Sequence, residues 1–145
     1  AIEDSPKNPV LHDYMGALFA LQGQRHWQSD VLRRAFFLDA RRHQQISLQL
    51  RPTNGRTWGA LAVSLHALQT DQATQAHAID KAIFYAPHDP VVQRQMAALV
   101  MARWSELGPA QRNWLRGLHA DERTRKRLQL DRLLKVYGLR MAGIQ

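Results

Sequence analysis

The chain is 145 residues long, 45% hydrophobic and 22% charged, which is enough apolar material for one domain with a continuous core. Eight Gly and six Pro exclude a collagenous or low-complexity chain, and no apolar run approaches the roughly 20 residues a membrane-spanning helix requires. Cysteine is absent, which excludes disulfides, thiolate nucleophiles and Cys-based zinc sites and leaves the redox compartment open. Net charge is +8 and biased towards the C-terminus: residues 103–145 carry ten Lys/Arg against four Asp/Glu, residues 1–102 ten against eight. Sixteen of the twenty cations are Arg, whose planar fork suits phosphate and carboxylate, although Arg-rich exposed helix faces need no ligand.

Three stretches repeat one pattern, Pro-x-(Asn/Asp)-(Pro/Gly): Pro6-Lys7-Asn8-Pro9, Pro52-Thr53-Asn54-Gly55 and Pro87-His88-Asp89-Pro90. In each, the first Pro ends a helix and the Asn or Asp caps the next one. The spacings of 46 and 35 residues are those of helical hairpin repeats.

In chain order, Leu11, Tyr14, Leu18 and Leu21 predict one apolar stripe on a helix over about 9–22. Gly23 breaks it, and Leu32, Ala35, Phe36 and Ile46 predict a long second helix over about 27–50. Trp58, Leu61, Leu65 and Leu68 mark a third helix over 55–69, and Ala76, Ile79, Ile83 and Ala86 a fourth. Val92, Met96, Val100 and Trp104 carry the fifth until Leu107-Gly108-Pro109 stops it. A short sixth runs over about 109–118, and Asp121 caps a last helix with Leu130, Leu133, Leu134 and Tyr137 before Gly138. Strand-like alternation is missing. The prediction is an all-α chain of about seven helices, stacked as antiparallel pairs because each hairpin needs a neighbour to cover its stripe. The units are about 6–51, 52–86 and 87–107, with a C-terminal cap over 108–145.

The run from Arg51-Pro52 through Trp58-Gly59-Ala60-Leu61-Ala62, with Ala82 and Pro87, resembles a tetratricopeptide repeat, except that the unit is one residue long and Gln69 stands where the turn glycine is frequent. Over about 50–140, the order Leu50-Arg51-Pro52, Trp58-Gly59-Ala60-Leu61-Ala62, Ala82-Ile83, Ala86-Pro87-His88-Asp89-Pro90-Val91-Val92-Gln93, Ala102-Arg103-Trp104 and Leu133 to Leu139 is similar to the VpsP-like family of bacterial exopolysaccharide-biosynthesis accessory proteins. That resemblance implies a noncatalytic TPR-like scaffold in an envelope polysaccharide system. It also implies an inner-membrane anchor N-terminal to Ala1 with these helices in the periplasm, and protein components of the assembly system as partners. Without it, the same helices read as a cytoplasmic peptide-binding adaptor.

Chemical signatures are few. None of the seven histidines lies three or four residues from another, so no local zinc pair is encoded. Nucleophile-elbow, P-loop and dinucleotide motifs are absent, and no cofactor, metal or catalytic residue is expected. Asp13, Asp39 and Asp80 could face a sugar, but hydrolysis needs two carboxylates at a defined separation. Trp58 and Trp104 sit on apolar stripes and read as core; Trp27 and Trp114 are less constrained, and Trp27 is placed to staple the second helix to the first. Arg123, Arg125, Lys126 and Arg127, with Arg132 and Lys135, could meet nucleic acid, anionic lipid or an acidic glycan; the plainer reading is the solvated face of the last helix.

The repeat resemblance also implies a concave groove along the first helix of each unit. It would be lined by Val10, Asp13 and Ala17, then Arg56, Gly59, Val63 and His66, then Val91, Arg94, Ala98 and Met101. Asp13, Arg56, His66, Arg94 and Met101 are its candidate contact residues. Gly59 and Val63 stand where a carboxylate clamp would want Lys and Asn, which argues against a chaperone-tail receptor.

Overall fold

A computed structural model describes residues 7–139, and among them the chain forms α-helices and no strand. The helices are α1 (Pro9–Arg25), α2 (Asp30–Leu50), α3 (Gly55–Ala67), α4 (Gln72–Tyr85), α5 (Pro90–Ala102), α6 (Pro109–Ala120), α7 (Glu122–Arg127) and α8 (Leu130–Val136). All three repeated turns start helices as their residues dictate. The side chains of Asn8, Asn54 and Asp89 each accept from backbone amides of the first turn, and Pro9 and Pro90 open α1 and α5. Ser29 and Asp71 cap α2 and α4 in the same way.

Consecutive helices pack as pairs, α1 on α2 and α3 on α4, and the pairs stack through α2 against α3 and α4 against α5. Helix α3 also touches both α1 and α5, so the first helices of the three units lie side by side. Helices α6, α7 and α8 close the C-terminal end, with α6 and α8 both reaching α5. The main core runs from Leu48 through Leu61, Leu65, Ile79, Met96 and Val100 to Leu115, Leu130 and Leu134.

Four expectations need correction. The last helix is not continuous: it splits at Gln129, whose φ of 54° is left-handed, into α7 and α8. Leu128 and Leu130 are both buried, and two residues apart on one helix they would point about 200° apart; the break lets both face the core. On α1 the expected stripe is largely on the outside, with Tyr14 62% exposed, while His12, Gly16 and Gly23 make the packed face. Those glycines explain it: a Cβ on Gly23 would lie 2.7 Å from the Phe37 ring, so α2 approaches closer than a leucine face permits. On α2 the buried residues are Phe37, Ala40, His43, Gln44, Ser47 and Leu48, a face turned away from Leu32 and Ala35, which stay exposed. Trp27 is 68% exposed and staples nothing.

Candidate binding groove

The helices α1, α3 and α5 pack side by side. A cavity of about 360 Å³ is lined by Ala17, Ala20, Leu21 and Gln24 of α1, Gln44 of α2, Ala60 and Val63 of α3, and Gln95 of α5. The floor is small and apolar, and three carboxamides are the hydrogen-bonding groups; no ionised side chain is among these residues. Gln44 is 2% exposed, and its Oε1 accepts no hydrogen bond. A buried amide oxygen without a donor costs roughly 1–3 kcal/mol. The exposed side chains Val10 and Tyr14 continue the α1 side of the cavity towards the helix N-terminus.

Of the residues expected along the groove, Ala17 and Val63 line this cavity. On α3 the exposed and half-buried face is Arg56, Ala60, Val63 and Ala67, whereas Gly59 is buried with Gln95 Oε1 3.2 Å from where its Cβ would stand. Asp13 does not face a ligand: it accepts from Thr57 Oγ1 at 2.9 Å and forms an ion pair with Arg51, tying α1 to α3 and to the end of α2. Arg56 is exposed and ion-paired with Asp89, the cap of α5. That contact raises the Arg56 pKa and holds the Asp89 carboxyl below its usual range. Arg94 donates from Nη1 to the carbonyl of Leu128 at 2.9 Å, which satisfies the end of α7. Met101, expected along the groove, is 3% exposed and belongs to the core, because it falls on the face of α5 that also buries Ala97 and Val100. His66 lies in a separate cavity of about 370 Å³ with Arg103 and Glu106, where burial and then Arg103 lower its pKa.

Three of the four basic residues of α7 have partners within the fold. Lys126 pairs with Glu122 at 2.9 Å, Arg125 with Asp131 at 3.7 Å, and Arg127 donates to Gln93 Oε1 at 2.8 Å, leaving Arg123 exposed on α7. Of the carboxylates considered for sugar chemistry, Asp13 is held by Arg51 and Thr57, and Asp80 accepts from Gln111 Nε2 at 2.7 Å.

Sequence spacing missed two features. Histidines 12 and 43, 31 residues apart, meet in the interior, and no group of three or more metal-ligating side chains occurs among the described residues. Gln24, Gln44 and Gln95 carry no motif; the one available signal was a glutamine at 44 between the core positions Ala40 and Leu48. No helix among the described residues is long and apolar enough to cross a membrane. No family model, curated protein or solved structure matches the chain.

Proposed function

We propose that this chain is a noncatalytic scaffold whose concave groove holds a segment of a partner protein, within a bacterial exopolysaccharide assembly or export system. The observation that carries the first half is the groove itself. Small apolar side chains from α1 and α3 admit a close-fitting guest, and Gln24 and Gln95 offer both donors and acceptors to a peptide main chain. The guest that matches this lining is an uncharged segment with small or apolar side chains. The second half rests on the resemblance between residues 50–140 and the VpsP-like family, which also implies a periplasmic location behind an inner-membrane anchor.

Ala17→Trp and Leu21→Glu alter the exposed α1 wall without touching the packed face. Capture of the natural partner from a native-host extract should fall at least about tenfold in each variant while circular dichroism stays unchanged. Undiminished capture would discard the groove. Deletion of the gene followed by a polysaccharide assay tests the second half separately: loss of polymer supports it, and intact polymer reduces the reading to a peptide-binding adaptor.

A further inference from the structure

A second cavity, of about 590 Å³, opens on the opposite side of α3 from the groove. Its walls are α2 and α4, and its floor is the α3 face of Trp58, Leu61 and Leu65, about half a turn from Ala60 and Val63. The corresponding cleft one unit further on, between α4 and α6, is bridged by the Gln111 to Asp80 hydrogen bond. The α2/α4 cleft stays open.

Its lining is chemically ordered. Apolar and aromatic groups make the floor, with the Trp58 indole anchored by its Nε1 donating to the Pro52 carbonyl at 2.8 Å and by the His77 ring at 5.5 Å with the two planes 85° apart. Uncharged hydrogen-bonding side chains stand on both facing walls, Gln45 and Gln49 on α2, Thr74 and His77 on α4. No Asp, Glu, Lys or Arg is among the lining residues. An aliphatic chain would leave both polar walls unanswered, and a flat heteroaromatic ring carries hydrogen-bonding groups over only part of its rim. A pyranose has apolar C–H faces and hydroxyl groups all round its edge, which is the pattern of apolar floor and two polar walls. The volume is within the ordinary range for small-ligand sites.

We infer that the α2/α4 cleft is a binding site for a neutral saccharide ring, seated face-down on Trp58 and Leu61 with its hydroxyls between Gln45/Gln49 and Thr74/His77. The inference stands on this cleft alone and does not depend on the groove reading.

Neutral gluco-, manno- and galacto-oligosaccharides titrated into the full chain, followed by the Trp58 indole N–H resonance, test it. Trp58→Phe assigns that resonance among the four tryptophans. The expected result is a saturable shift with one of these sugars. The Gln45→Leu/Gln49→Leu double variant, altered only at exposed positions, should bind it about tenfold more weakly. The groove variant Ala17→Trp should bind it as the parent does. No saturable shift with any of the sugars overturns the proposal. So does an equal response to hexanol or uridine, or sugar binding that the double variant leaves intact.

Discussion

The Nδ1 atoms of His12 and His43 lie 3.1 Å apart inside the α1–α2 hairpin, both side chains almost fully buried. At that distance one ring donates and the other accepts, which requires one of the two nitrogens to be unprotonated. His43 also stacks on Phe19, with ring centroids 5.5 Å apart and planes 5° off parallel. Burial, then the charges of Arg42 and His12, lower the His43 pKa below 6.5, with Asp39 opposing. A base whose folded pKa is depressed contributes stability above its unfolded pKa and loses it as pH falls through the folded value. The thermal midpoint should therefore drop on moving from about pH 7.5 to about pH 5. His43→Phe should flatten that dependence; an unchanged slope in the variant would assign the acid sensitivity elsewhere.

Asp13 joins three elements through one carboxylate, accepting from Arg51 at the end of α2 and from Thr57 in the first turn of α3. Asp13→Ala removes both bonds and leaves the Thr57 hydroxyl without its acceptor. Denaturant unfolding should show a loss of about 1–3 kcal/mol. Asp13→Asn keeps an acceptor for Thr57 and should lose less.

Three glycines make a graded series. A Cβ at Gly55 would stand 2.5 Å from the Ala86 Cβ and 2.8 Å from the Ala86 backbone nitrogen, so Gly55→Ala forces the start of α3 away from the end of α4. Its cost should reach about 1–3 kcal/mol, with Gly23→Ala similar because the buried Phe37 ring must shift. Gly117 lies inside α6 with nothing within 4 Å of its Cβ position, and Gly117→Ala should stabilise by about 0.5–1 kcal/mol. Thermal melts of the three variants check the ordering.

Helix α3 ends with Gln69 at φ 54°, its amide bonded to the His66 carbonyl and the Thr70 amide to the Leu65 carbonyl. Helix α8 ends in the same arrangement, with Gly138 at φ 67° in that position. A non-glycine residue there is strained, so Gln69→Gly and Gln129→Gly should each raise stability by about 0.5–1 kcal/mol, and Gln69→Val should lower it. Chemical unfolding of these single variants measures it.

The helix starts were legible because capping is local: Asn8, Asn54 and Asp89 act on amides two or three residues away. The stripe of α3 was legible too, since Leu61, Leu65 and Leu68 are all buried. The orientation of α1 was not, because its packed face is made of His12, Gly16 and Gly23, none of which registers as apolar in a periodicity count. Gln129 carries no stop signal; the break depends on where Leu128 and Leu130 must go, which is a property of the assembled cap. Ala17 and Val63 were expected at the cavity between α1 and α3, whereas its carboxamides emerged only from how α2 and α5 sit against α3.

Many of the side-chain bonds between helices span nearly the same stretch of chain. Arg33 reaches the Ala67 carbonyl, Arg34 that of Leu68, Arg94 that of Leu128 and Arg127 reaches Gln93, each 34 residues away; Arg56 to Asp89 and Arg103 to Thr70 span 33. Each fastening thus closes a loop about one unit long, and such loops form early and cheaply during folding. The same economy makes the ends of the stack the first parts to open. Amide exchange should be slowest in α3 and α5, which are gripped from both sides, and quicken outward, so that the α1–α2 hairpin can detach and re-dock while the middle of the chain keeps its shape.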